Sequence, residues 1–312
     1  MNKVKSVFFT ICFSLSAIFI ASFSVSAQQP KTEIATPKFA AQNSSANVQD
    51  FQLTSKLMAR QMPYRVILPA SYEISKTKTA VEKPLSYPVL YLLHGLTGHF
   101  DNWGSKTKLA DYAKNFNYII VMPEGNNGWY SDSATVANDK YESYIVQELI
   151  PEIERKFRVK PARESRAIAG LSMGGYGAIK FGLKYPQMFA LVGSFSGALG
   201  AASWTEKEIG TKGTIAESIN GVFGLSDNAN RSANNIFKMA LEASDDQIKS
   251  MPFVYQSCGT EDFLYKNNRD FVDVLQQKKI PHEYRETPGG HDWKFWNAQV
   301  KEFLNLSESF LK

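Results

Sequence analysis

Cysteine is nearly absent from this chain: 312 residues hold two, Cys12 and Cys258. Cys12 falls in the first 27 residues, which read as a signal peptide. Lys3 and Lys5 precede an apolar stretch over 7–23 that only Ser and Thr interrupt, and Val25-Ser26-Ala27 offers the small residues a signal peptidase reads. A membrane anchor is the competing reading, but the stretch is short and serine-diluted for a span of about 20 apolar residues. Cleavage after Ala27 leaves 285 of the 312 residues, with Cys258 as the one thiol. That excludes an intrachain disulfide and leaves stability to a conventional core, which a chain of this length can supply.

Long hydrophobic runs are absent after the leader, so the expectation is a secreted or periplasmic protein with no stable membrane insertion. Charge of one sign is scarce too. Losing Lys3 and Lys5 changes 35 basic and 30 acidic residues to 33 and 30, a net +3, with no long block of like charge. Nucleic acid is therefore not an expected partner. No Cys/His grouping has zinc-ligand spacing, and no internal repeat is visible.

What is present is alternation. Residues 28–50, rich in Gln, Ala, Ser, Thr, Asn and Pro, read as a flexible lead-in to a domain over 51–312. The pattern over 53–68 suits a pair of strands, and 76–86 a polar surface connection. Buried strands are expected at 87–93, 118–122, 166–171, 189–195 and 252–258, with a further strand at 282–287. Helices are expected at 106–115, 141–157 (kinked by Pro151), 173–185, 263–279 and 293–311. Strands alternating with helices predict an α/β fold with a mostly parallel sheet covered on both faces. The exception is 197–250, polar with weak helical patches at 216–223 and 234–243, read as an insertion over the site.

Gly170-Leu171-Ser172-Met173-Gly174 fits Gly-x-Ser-x-Gly between an apolar strand and a helix. Such a turn lifts the Ser172 hydroxyl clear of the sheet and needs glycines where neighbouring strand and helix crowd it. It also leaves the Met173 N–H at a helix N-terminus, where it can stabilise an oxyanion. A serine hydroxyl needs a base to become a nucleophile. Of the four histidines, His94 and His99 precede Ser172, contrary to the chain order Ser, acid, His. His282 sits at a strand entry, away from the end where active-site loops gather. His291, in Pro288-Gly289-Gly290-His291-Asp292-Trp293, follows a strand and opens the last helix, so it is the expected base.

The acid belongs on the loop after strand 252–258, in Gly259-Thr260-Glu261-Asp262. Spacing leaves Asp262 and Glu261 both open; the shorter side chain favours Asp262. Cys258 reads as a small buried residue rather than a catalytic thiol. The second oxyanion donor is expected from Leu92-Leu93-His94-Gly95-Leu96-Thr97-Gly98, as the backbone N–H of Leu96, with His94 structural. Trp129, Tyr130 and Trp293 are candidate substrate-lining aromatics, equally readable as core.

Together, His94-Gly95-Leu96-Thr97-Gly98, Pro123-Glu124-Gly125, Trp129-Tyr130, Gly170 to Ala178 and Gly290-His291-Asp292-Trp293 resemble the esterase D group of α/β-hydrolases. That group includes feruloyl and acetyl xylan esterases, tributyrin esterases, formylglutathione hydrolases and mycolyltransferases. The resemblance, running from about Phe51 to the C-terminus, implies an α/β-hydrolase fold, a Ser–His–Asp triad and no metal or organic cofactor. It implies cleavage of acyl esters, short-chain, acetyl or feruloyl, on a small molecule or a polysaccharide. Two other expectations stay open: an acyltransferase that uses a sugar hydroxyl in place of water, and a non-catalytic carbohydrate-binding protein on a hydrolase scaffold. Formylglutathione hydrolases are cytosolic, so the leader argues against that branch.

Overall fold

Eight strands form one sheet in the order β1-β2-β4-β3-β5-β6-β7-β8. The structure, a computed structural model, describes residues 47–72 and 85–312. The expected leader, most of the lead-in and most of the polar connection at 76–86 lie outside those residues. β1 (Asn47–Ser55) and β2 (Arg60–Leu68) make an antiparallel hairpin in full register, from Asn47 opposite Leu68 to Ser55 opposite Arg60. The expected lead-in therefore gives way to strand at Asn47, four residues before the expected boundary at Phe51. Pairing with β2 satisfies the backbone whatever the side chains, so polar Asn47, Gln49 and Asp50 carry no strand signal in sequence.

β2 also pairs antiparallel with β4 (Ile119–Pro123). All remaining neighbours are parallel: β4 with β3 (Val89–Leu93), then β5 (Arg166–Leu171), β6 (Leu191–Phe195), β7 (Phe253–Gly259) and β8 (His282–Thr287). Every residue of β3, β4, β5 and β6 is buried, the consequence of a parallel sheet covered on both sides. Alternate side chains feed two cores. Val89, Tyr91 and Leu93 join one, with Tyr176 and Ile179 from the helix behind β5; Leu90 and Leu92 join the other, with Val300, Phe303 and Leu304 from the last helix.

The helices are α1 (Asn102–Lys106), α2 (Leu109–Ala113), α3 (Tyr141–Tyr144), α4 (Ile150–Lys156) and α5 (Met173–Lys184). Then come α6 (Glu206–Ile209), α7 (Thr214–Phe223), α8 (Ala229–Asn234), α9 (Ile236–Glu242) and α10 (Asp245–Ser250). α11 (Tyr265–Gln277) and α12 (Trp293–Ser307) complete the set. The kink expected at Pro151 takes a definite form. A π-turn over Ile145–Leu149 joins α3 to α4, with the Ile150 N–H reaching back to Ile145 O. Proline has no N–H to give and its ring crowds the carbonyl four residues earlier, so the widened turn absorbs it.

Segment 197–250 is more helical than its composition suggests. Three of its short helices start on the side chains of Asn228, Asn235 and Ser244, and Ile219, Val222, Phe223, Ile236 and Ala240 bury an apolar face in the same core as α5. Its polarity belongs to the outer face.

Candidate active site

Ser172 occupies the single residue between β5 and α5, at φ 51° and ψ −115°. A non-glycine residue there is strained by about 1–3 kcal/mol and persists only where its surroundings over-determine it. Here they do: the Ser172 N–H donates to Phe195 O (2.9 Å), and its carbonyl accepts from Tyr176 N–H (3.1 Å) and Ala198 N–H (3.0 Å). The flanking glycines are sterically required. A Cβ on Gly170 would lie 2.5 Å from the backbone of Gly174, and one on Gly174 2.6 Å from the carbonyls of Leu93 and His94.

The expected base and acid meet this serine. Ser172 Oγ lies 2.9 Å from His291 Nε2, and His291 Nδ1 lies 2.9 and 3.1 Å from the two carboxylate oxygens of Asp262. The adjacent loops are laced together by Thr260 N–H to Thr287 O and Glu261 N–H to Gly289 O, both 3.0 Å. The alternative acid, Glu261, lies at the surface, while the Asp262 side chain is fully buried. Burial pushes the Asp262 carboxyl up. Hydrogen bonds from His291 and the Leu264 N–H outweigh it and hold the group below its ordinary value, as a carboxylate. Cys258 is buried at the end of β7, and burial pushes its thiol up to about 12. It is an inert neighbour.

The loop after β3 is fixed from several sides. The peptide joining Gly95 to Leu96 is trans and planar, so its C=O and N–H point in opposite directions. Gly95 O accepts from His94 Nδ1 (2.8 Å) and Gly98 N–H (3.0 Å), which turns the Leu96 N–H the other way. His94 Nε2 in turn lies 2.9 Å from the Gly125 nitrogen and 3.2 Å from Glu124 Oε1, so the ring is held from both sides. Beside it, Glu124 accepts from the N–H groups of Asn126 (2.7 Å), Gly125 (3.1 Å) and Phe100 (3.3 Å). Burial works to raise the Glu124 carboxyl, yet the His94 ring, followed by the Asn126 and Phe100 N–H groups, holds it at about 2. Neither Leu96 N–H nor Met173 N–H has an acceptor among the described residues. Both are therefore available to a ligand as donors.

Of the three candidate substrate-lining aromatics, two are core. Trp129 and Tyr130 are 2% and 0% exposed. Trp129 packs on Tyr176 and Phe223 and donates to Ser218 Oγ, and the Tyr130 hydroxyl donates to His94 O at 3.0 Å. The expectation that they line the site is corrected: enclosure by α5 and α7 leaves no ring face open. Trp293 is half-buried against Trp103 and Trp296, one ring removed from His291, which Trp296 meets edge-on at 5.0 Å. The aromatic that does sit at the mouth is Phe263, 72% exposed with its ring 4.6 Å from that of His291. The helix expected over 263–279 would start on it; the observed helix begins at Tyr265, which leaves Phe263 on the loop. No group of three or more His, Cys, Asp or Glu side chains is arranged to hold a metal among the described residues.

Residues 55–305 match the model of the Esterase family, described as "Putative esterase". An acetyl esterase of Caldicellulosiruptor saccharolyticus is 29% identical over 248 residues, 79% of this chain and 92% of that protein. Esterase Rv1288 of Mycobacterium tuberculosis is 32% identical over 253 residues, 72% of this chain; the match spans about half of that longer protein (51%). Among solved structures, a ferulic acid esterase superposes with a TM-score of 0.71 at 28% identity, covering 85% of this chain and 99% of its own.

Proposed function

The chain belongs to the Esterase family and has the α/β-hydrolase fold, and from that premise we propose that it is a serine carboxylesterase working through Ser172, His291 and Asp262. The observation that carries the reading is the continuous hydrogen-bonded line from Ser172 Oγ through both ring nitrogens of His291 to a buried carboxylate. Ser172 Oγ attacks the ester carbonyl carbon while His291 Nε2 takes its proton. The carbonyl oxygen becomes an oxyanion between the N–H groups of Leu96 and Met173. Collapse breaks the bond to the alcohol, which leaves with the proton from His291, and an acyl group stays on Ser172. Water, deprotonated by the same ring, then releases the acid. Asp262 holds the Nδ1–H tautomer and stabilises the imidazolium at each step.

The proposed substrates are acetyl, other short-chain or feruloyl esters, on a small molecule or a sugar. Support comes from the acetyl and ferulic acid esterases among the relatives. The polar outer face of 197–250 suits soluble substrate rather than emulsified lipid. Export is proposed from the leader pattern over 1–27, and no described helix is long and apolar enough to cross a membrane.

The test is labelling with a fluorophosphonate followed by assay of Ser172→Ala. The wild type is expected to take one label per chain. The variant, folded, loses label and activity by about a million-fold, the scale measured for loss of a triad nucleophile. Retained activity above a few per cent removes Ser172 from the chemistry. A panel of acetylated, butyrylated and feruloylated esters, with and without a sugar acceptor, separates hydrolysis from acyl transfer.

A further inference from the structure

Lys180 lies in the middle of α5 with no exposed surface, an uncommon place for an ammonium. All three of its hydrogens are used: Nζ donates to Tyr130 O (2.7 Å), Ser131 Oγ (2.5 Å) and Glu142 Oε2 (2.8 Å). Glu142 is itself buried and takes two further donors, Lys184 Nζ and the Tyr185 hydroxyl, both at 2.6 Å. An apolar side chain would fill the same space without the desolvation cost of two buried charges, so the pair is better explained by what it positions than by what it stabilises.

What it holds is an unusual turn. Trp129 and Tyr130 both have left-handed backbone, φ 50° and 49°, in two successive bulky residues. The Lys180 ammonium grips this turn at the Tyr130 carbonyl. The Tyr130 ring is wedged where Cβ atoms on Gly125 and Gly177 would lie 2.6 and 2.7 Å from it. Its hydroxyl then ends on the carbonyl of His94. His94 O and Gly95 O are thus both pinned, the first by Tyr130 and the second by the His94 ring and Gly98. Two successive peptide planes are locked, and the Leu96 N–H is the group whose direction they set.

We propose that Lys180, acting through Tyr130, is a positioning residue that aims the Leu96 N–H at the oxyanion, with Glu142 holding Lys180 in place. This rests on the reading of Ser172 and Leu96 given above. Misaim of one donor should cost less than its outright loss, which is on the order of 10²–10³-fold in kcat.

Tyr130→Phe deletes one hydroxyl and keeps the ring; the pair Lys180→Met with Glu142→Leu removes both charges together. In each, kcat per fluorophosphonate-labelled site is expected to fall about 10- to 30-fold with KM within about two-fold. Affinity for phenylboronic acid, a tetrahedral mimic, should fall in parallel. Hydrogen exchange of the backbone amides over 95–98 in resting protein should speed up severalfold. A purely structural role would lower Tm and the yield of labelled sites, yet leave kcat per site and boronate affinity unchanged; that result overturns the proposal, as does unchanged exchange. If the double variant fails to fold, Tyr130→Phe decides alone. Wild type that takes no fluorophosphonate would sink the reading of Ser172 instead, and the exchange measurement still decides whether the brace exists.

Discussion

The two flanks of Ser172 are built differently. On one side, the loops after β3 and β4 are buried and densely bonded: His94 is 1% exposed and Glu124 5%, and both carbonyls ahead of Leu96 have fixed partners. On the other, the loops after β7 and β8 present His291 with an 18% exposed side chain whose Nδ1 is held by Asp262, and Phe263 is 72% exposed. The difference follows the tasks proposed for each side. An oxyanion donor is effective when it needs no reorganisation at the moment of reaction, so it is buried and braced. A base must accept a proton, pass it to a leaving alcohol and admit water, so it sits where solvent and substrate reach it. Breaking the braced flank should therefore cost stability and rate together, and breaking the open flank rate alone.

The largest effect is expected on the open flank. Asp262→Asn should reduce kcat by about 10⁴-fold while KM stays within a few-fold, because orientation of His291 matters mainly in the transition state. Glu261→Gln should stay close to wild type. Steady-state kinetics of the two variants decide it, and a reversal would move the acid by one residue. Melting temperatures should change little in either.

Next comes the braced flank. His94→Ala takes one of two partners from both the Gly125 N–H and Gly95 O and empties the space of a buried ring. It also frees the Leu96 peptide to turn. Loss of roughly 100-fold in kcat together with a clear fall in Tm is expected. A variant that loses rate with no change in Tm would erase the contrast between the flanks.

Acid sharpens it further. Glu124 and Glu142 are held at about 2, against an ordinary 4.5. Carboxyls depressed in the folded state contribute stability that is complete above the ordinary value and lost as pH falls towards the folded one. The window is therefore pH 4.5 down to about 2. Denaturant midpoints across it should drop steeply in wild type and less steeply in Lys180→Met with Glu142→Leu, which no longer has that carboxylate to protonate.

The smallest effect is reserved for Phe263→Ala. Its ring covers the open face of His291 and touches whatever enters, so KM for aryl and feruloyl esters should rise a few-fold while acetyl esters change less. An equal change for both would make Phe263 a shield for the base rather than a contact for substrate.

Much of this was legible in the sequence, and for local reasons. The elbow declares itself because strand, glycines and helix must be contiguous, and His291 follows from chain order together with its place after a strand rather than at its entry. Asp262 and Glu261 could not be separated, since adjacent residues on a turn differ only in which side chain the fold buries. Trp129 and Tyr130 stayed open between two readings because an aromatic suits a core as well as a binding site; the carbonyl grip of Lys180 is a long-range contact with no sequence period. Segment 197–250 hid its buried face among polar residues, although Thr205 to Glu208 and Ser244 to Gln247 carry the reciprocal side-chain caps that announce helix starts. The hairpin strand β1 began early for the same kind of reason, its pairing being a backbone matter.

One quiet feature makes the open flank measurable without any substrate. In a chain that starts at Gln28, Cys258 is the sole sulfhydryl, and it is sealed one residue before the loop that carries Asp262. A thiol-reactive dye can reach this buried group only when its surroundings open, so the pace of labelling in native buffer becomes a clock for the opening of that end of the sheet. The enzyme thus carries its own reporter of breathing beside the acid, and needs no engineered probe to be watched.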